Sequence, residues 1–209
     1  MFIADGTLGL HIGLLYRSAK KKAHRALHLA WHRRLTDQSI SETVNDKNLR
    51  LCSFIEMAEN FDPIELTLLA AHCSTLARRG REDLAYGFRY AGAFDQTGKF
   101  TPAPRASGLT CSTFVVAIFD WAAVALIDHQ TWLRRDNDEV YWRQLVGLLK
   151  ESGAEPAHIR AVHQEINSVR FRPEEVAASC ACQDRPVKFN VAEAAGDALM
   201  SAFYAPPPA

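Results

Sequence analysis

Cys111 is the residue best placed to do chemistry. It lies in Gly108-Leu109-Thr110-Cys111-Ser112-Thr113-Phe114-Val115-Val116-Ala117-Ile118-Phe119, where a loop broken by Pro102, Pro104 and Gly108 gives way to a long apolar run. The pattern predicts a helix buried on nearly every side, with Cys111 in its first turn and Thr110 or Ser107 as its cap. Unpaired N–H groups and the positive end of the helix dipole favour thiolate over thiol there, so a depressed pKa is expected. A small buried residue in a core helix has the same pattern, since free Cys is among the most buried residue types.

Two histidines near the start of the chain bear on that choice. His11 sits in Leu8-Gly9-Leu10-His11-Ile12-Gly13-Leu14-Leu15-Tyr16 and His28 in Arg25-Ala26-Leu27-His28-Leu29-Ala30-Trp31. Both segments are short, apolar and bounded by polar residues, the pattern of strands. The solvated stretch Arg17-Ser18-Ala19-Lys20-Lys21-Lys22-Ala23-His24 between them predicts an antiparallel hairpin. Centred near Ala19 and Lys20, it puts His11 directly opposite His28, with Cβ atoms about 4.5–5.5 Å apart on one face. One imidazole can then hydrogen-bond and orient the other, whereas a one-residue slip would turn His28 to the wrong face. Two ordinary strand histidines would read the same way.

Together the three residues form a nucleophile, a base and an orienting group. A thiolate attacks a carbonyl carbon, a neighbouring imidazole carries the proton, and a third polar group fixes that imidazole. Here the His strands precede the Cys helix, the reverse of the usual papain-like order. In this respect the chain resembles the circularly permuted, NlpC-like branch of the papain-like hydrolases, which includes the YiiX/YaeF-like amidases. Lecithin retinol acyltransferase-type enzymes are more distant permuted relatives. His11-Ile12-Gly13-Leu14-Leu15-Tyr16 is similar to the His-Val-Gly-Ile-Tyr strand of that group. Ala26-Leu27-His28-Leu29-Ala30 is similar to the strand that carries the third polar residue, and Thr110-Cys111-Ser112-Thr113-Phe114-Val115 to the Cys helix. Residues 36–84 and those from 128 onward lie outside the resemblance.

The resemblance implies an α+β, permuted papain-like fold, with a small antiparallel sheet packed on a central Cys-bearing helix. It implies a thiol amidase or peptidase working through a thioester acyl-enzyme, with Cys111 as nucleophile, His11 as base and acid, and His28 as orienter. The implied substrate is a peptide-like or N-acyl amide, bacterial cell-wall peptides among them. A thiol acyltransferase or lipase-like enzyme of the same fold is the alternative within this class. A non-catalytic scaffold that binds a protein partner is the alternative outside it.

The elements that must position these residues are legible in part. The 209 residues, 48% of them hydrophobic and 23% charged, predict one globular domain that buries roughly 70% of its unfolded surface. Residues 1–5 are the only candidate for a strand ahead of His11. Asp62-Pro63-Ile64-Glu65 is a capped helix start, and Leu66, Leu69, Ala70, Cys73, Leu76 and Ala77 follow on one face as far as Arg78-Arg79-Gly80. With a further helix expected in residues 41–60, residues 36–85 are read as a helical insertion. Residues 86–100, rich in aromatics and glycine, lead into the Cys helix, so Tyr86, Tyr90 and Gln96 are the candidates for substrate contact. Gln96 or Tyr90 is also a candidate oxyanion donor, beside the backbone N–H groups at the helix start. A β-hairpin packed over the core is the competing reading of this segment. Helices are expected at 139–151, 156–169, from Pro173, and at 192–204, a short strand at Arg170-Phe171-Arg172, and a disordered proline-rich tail at 205–209.

Net charge is zero, which argues against nucleic acid as the main partner. The cluster Lys20-Lys21-Lys22 with Arg25, Arg33 and Arg34 reads as a solvated hairpin tip and strand end. No stretch approaches the roughly 20 apolar residues of a membrane span, and the start lacks the pattern of a cleavable signal. Five cysteines suggest no disulfide framework, and Cys180-Ala181-Cys182 is too tight for a zinc knuckle. A cytoplasmic protein without metal or cofactor is therefore expected, with export by a signal-independent route the alternative.

Overall fold

The computed structural model describes residues 1–6, 9–57, 59, 61–79 and 84–205. Five antiparallel strands form the main sheet: β1 (Phe2–Gly6), β2 (Gly9–Ser18), β3 (Ala23–Trp31), β4 (Arg34–Ser39) and β5 (Leu49–Phe54), in the order β4-β3-β2-β1-β5. The helices are α1 (Ile40–Val44), α2 (Pro63–Arg79), α3 (Cys111–Trp121), α4 (Asp138–Glu151), α5 (Pro156–His163), α6 (Pro173–Ser179) and α7 (Phe189–Phe203). A two-stranded hairpin, β6 (Gly92–Phe94) and β7 (Phe100–Pro102), lies between α2 and α3. The α+β class is as expected. No helix among the described residues is long and apolar enough to cross a membrane.

Period-two alternation divides the sheet into two faces. Ile12, Leu14 and Tyr16 of β2 and Leu27 and Leu29 of β3 join one core with α2, α3 and α6. Phe2, Ala4 and Ala26 form a smaller cluster on the other face. The main core is built around α3, where all nine residues from Cys111 to Phe119 are buried. Such a helix has no polar face to spend on water, so packing on several sides holds it. Its start is set locally: the Thr110 hydroxyl accepts from the Thr113 N–H at 3.1 Å, and the Thr113 hydroxyl lies 2.7 Å from the Thr110 N–H. Thr110, and not Ser107, is the cap.

The helix α2 begins as its sequence dictates. The Asp62 carboxylate accepts from the Ile64 N–H at 2.7 Å, and the Glu65 carboxylate reaches back to the Asp62 N–H at 3.1 Å. Leu69, Cys73 and Leu76 are buried on its inner face. Gly80, read as its stop, lies outside the described residues. The expectation that residues 36–85 form a helical insertion is corrected: β4 ends at Ser39, α1 takes five residues, and residues 49–54 form a strand in place of the expected second helix. Strand β5 pairs with the free edge of β1, Phe2 against Phe54 and Ala4 against Cys52. A ladder partner for β1 outweighs the weak local helical pattern, because buried backbone donors and acceptors must be paired.

In the C-terminal part, α4, α6 and α7 fall within a few residues of their expected spans, but α5 stops at His163, well short of residue 169. Beyond it Glu165 turns inward and accepts from the N–H groups of Phe88 and Arg89, at 2.7 and 3.0 Å. Arg170, Phe171 and Arg172 are not a strand. Arg170 stacks on Tyr141, 3.3 Å from the ring centroid, and Arg172 donates to Asn137. From residue 206 the proline-rich tail lies outside the described residues.

Candidate active site

His11 and His28 meet side chain to side chain. Nε2 of His11 lies 2.7 Å from Nδ1 of His28, and the rings stand edge to face with centroids 4.8 Å apart. The register that brings them together is not the expected one. The hairpin turns over residues 19–22, and the ladder pairs Leu14 with Leu27 and Ser18 with Ala23. His28 therefore faces Gly13, and His11 is its diagonal neighbour two residues along β2. A shift of two keeps every side chain on its face, whereas a shift of one would have separated the pair. Phe2 completes the support, its ring centroid 5.5 Å from that of His28 and 6.2 Å from that of His11.

The β2–β3 ladder ends at Leu14 and Leu27, although both strands run on toward Gly9 and Trp31. The start of α3 comes to this open end of the sheet. Cys111, His11 and His28 line one cavity of about 280 Å³, walled also by Trp31, Tyr86 and Tyr141. The backbone N–H of Ile12, next to His11, favours the thiolate of Cys111, as does that of Ser112. The three residues singled out in the sequence are thus brought to one cavity from three separate elements.

Their protonation differs from expectation. Cys111 is 7% exposed, and burial pushes its thiol above the ordinary value, outweighing the neighbouring N–H groups and Arg170. The expected depressed pKa is corrected: the dipole at a helix start favours thiolate, but a sulfur enclosed by the core loses more from leaving water. His11 is held down to about 3, first by burial and then by His28; His28 is held down to about 4, by burial and Arg34. At neutral pH the resting site holds a neutral thiol and two neutral imidazoles.

The hydrogen bond also fixes which nitrogens can act. With Nε2 of His11 engaged by His28, Nδ1 is the nitrogen left to exchange a proton. For Nδ1 to accept one, Nε2 must carry hydrogen and donate to Nδ1 of His28, which places the His28 proton on Nε2. That Nε2 is buried without a hydrogen-bond partner among the described residues.

Of the residues expected to contact substrate, only Tyr86 is at the cavity. The Tyr90 hydroxyl is bound to Asp120, and its ring stacks on His129 at 5.2 Å. Asp120 is nine residues beyond Cys111 on α3, about 13 Å at 1.5 Å per residue, so Tyr90 serves the far end of the helix. Gln96 lies exposed in the turn of the β6–β7 hairpin. That turn is closed by Asp95, whose N–H donates to the Lys99 carbonyl at 2.9 Å. The hairpin packs on α3 through Phe94, against Phe114 and Trp121, so the reading of a hairpin over the core holds for residues 92–102. Tyr90 and Gln96 are therefore corrected as contacts and as oxyanion donors at Cys111.

Tyr141 and Trp31 were missed as site residues. Tyr141 carries the apolar face of α4 to the cavity, and Trp31 ends β3 beside Tyr86, ring centroids 4.8 Å apart. Aromatic residues at such positions give no local signal that separates a cavity wall from a core. Among the described residues, no group of three or more His, Cys, Asp or Glu side chains could hold a metal ion. No protein-family model, curated protein or solved structure matches this chain.

Proposed function

We propose that the protein is a cysteine hydrolase that cleaves a peptide-like or N-acyl amide through a thioester acyl-enzyme, on a permuted papain-like scaffold. The observation that carries the reading is the 2.7 Å bond from His11 Nε2 to His28 Nδ1 in the cavity onto which Cys111 opens. A buried pair of imidazoles costs stability, and a nucleophile lining the same cavity gives the pair a use.

With thiol and imidazole both neutral at rest, His11 acts as a general base during attack. As the Cys111 sulfur bonds to the carbonyl carbon, the thiol proton passes to Nδ1 of His11 and the carbonyl π pair moves to oxygen. The new positive charge on His11 strengthens its hydrogen bond to the neutral His28 acceptor. The first N–H groups of α3, which have no partner within a helix, face the developing oxyanion. Collapse breaks the carbon–nitrogen bond, and His11 returns its proton to the leaving amine. Water then attacks the thioester, His11 takes its proton, and the released sulfur recovers one from His11.

Treatment with p-nitrophenyl acetate tests the reading. The expected result is one acetyl group on Cys111, found by peptide mass spectrometry, with the label lost in His11→Ala. Absence of label, or equal labelling of the partly exposed Cys52 and Cys182, would overturn it. Natural substrate is sought by incubating Cys111→Ala with a pool of cell-wall peptides, lipidated peptides and phospholipids. Retained peptide-like amide supports the amidase, and retained lipid would replace it by the acyltransferase or lipase-like alternative.

A further inference from the structure

Resting on the acyl-enzyme reading, we propose that the Tyr86 side chain is a catalytic residue, its hydroxyl donating a hydrogen bond to the oxyanion formed at Cys111. Tyr86 is 6% exposed and lines the cavity with Cys111. Its hydroxyl makes no hydrogen bond to any described residue, so a strong donor stands unspent beside the nucleophile.

The backbone around Tyr86 is held with unusual closeness to the strand of chain that delivers Cys111. The Gly87 N–H donates to the Leu109 carbonyl at 3.3 Å, and the Leu109 N–H to the Ala85 carbonyl at 3.0 Å. A β-carbon on Gly87 would come within 2.4 Å of the Gly108 nitrogen, and one on Gly108 within 1.9 Å of the Ala85 oxygen. Only glycines permit this approach. It ties Tyr86 to the residues directly ahead of the nucleophile.

Two histidines outside the catalytic set secure the Tyr86 peptide itself. Its N–H donates to Nδ1 of His32 at 3.2 Å, and its carbonyl accepts from Nε2 of His158 at 2.8 Å. Trp31 packs on the ring at 4.8 Å, and Phe88 meets it edge-on at 6.5 Å. Burial holds the phenol well above its ordinary pKa, so it stays a neutral donor through the working range. A donor fixed by packing before substrate arrives needs no reorganisation as charge develops on the carbonyl oxygen.

Two reactions of Cys111 separate this role from others. With p-nitrophenyl acetate the sulfur–carbon bond forms, the π pair moves to oxygen and the thiol proton goes to His11; collapse then expels p-nitrophenolate. Iodoacetamide alkylates the same sulfur by displacing iodide from a saturated carbon, with no oxyanion. In Tyr86→Phe, acylation is expected to slow by on the order of 10- to 100-fold while alkylation keeps the wild-type rate. Both rates are read where circular dichroism shows the variant fully folded, because unfolding would expose the buried thiol to iodoacetamide and leave the alkylation rate high for the wrong reason. An unchanged ratio, whether neither rate falls or both fall together, would overturn the proposal. Wild-type protein that alkylates but does not acylate would overturn the acyl-enzyme reading itself, and the role of Tyr86 with it.

Discussion

Gly13 and His28 face each other across β2 and β3 with no room for a side chain between them. A β-carbon on Gly13 would lie 2.6 Å from the His28 Cβ and 2.4 Å from Cε1 of Phe2. The empty position lets Phe2 pack on both imidazoles and lets His28 lean along the sheet to His11.

Gly13→Ala should therefore damage the site more than its single methyl group suggests. Overpacking of this kind costs about 1–3 kcal/mol. The lower urea midpoint should come with a loss of Cys111 acylation that persists where the variant is fully folded. Wild-type acylation in folded Gly13→Ala would show that the His11–His28 contact does not need this gap.

The two histidines should differ in consequence. His11→Ala is expected to abolish acylation as fully as Cys111→Ala, because base and nucleophile act as a unit. His28→Ala should cost less, since it keeps the base itself and removes only its orienting partner, and His28→Asn, which keeps an acceptor, should retain more activity than His28→Ala. Rates with p-nitrophenyl acetate give the order, and equal rates for wild type and His28→Ala would remove His28 from the mechanism.

The Cys111 thiol should titrate above the ordinary value of about 8.5, because burial raises it. Its alkylation rate against pH is expected to climb through the alkaline range without a plateau at neutrality. A midpoint near 6 would mean a preformed thiolate–imidazolium pair and would displace general-base attack by a neutral pair.

Acid should unfold the protein through the same histidines. Their folded pKa values, about 3 for His11 and about 4 for His28, lie below the ordinary 6.5. Above pH 6.5 folded and unfolded chains both hold them neutral, and the stability is fully present. As pH falls toward 4, the unfolded chain binds protons that the folded site refuses, and stability declines by a few kcal/mol. Urea midpoints between pH 7 and 4 measure the slope, which should be shallower in His28→Gln. The same slope in variant and wild type would place the acid sensitivity elsewhere.

Local chemistry made much of this protein readable from its sequence. Thr110 and Thr113 cap the Cys helix, Asp62, Pro63 and Glu65 open α2, and alternation in residues 9–31 makes a hairpin; each needs only neighbours in the chain. The side-chain period of two also put His11 and His28 on one face despite a register wrong by two residues. Tertiary structure decided the rest. Strand β5 exists because β1 had an unpaired edge, and Tyr90 was drawn to Asp120 by the packing of the aromatic segment on α3. The state of Cys111 turned on the same kind of cause. A helix start promotes ionisation through bonds written in the sequence, but the cost of burying the sulfur depends on Tyr86, Tyr141 and the sheet end closing around it, which only the folded chain sets.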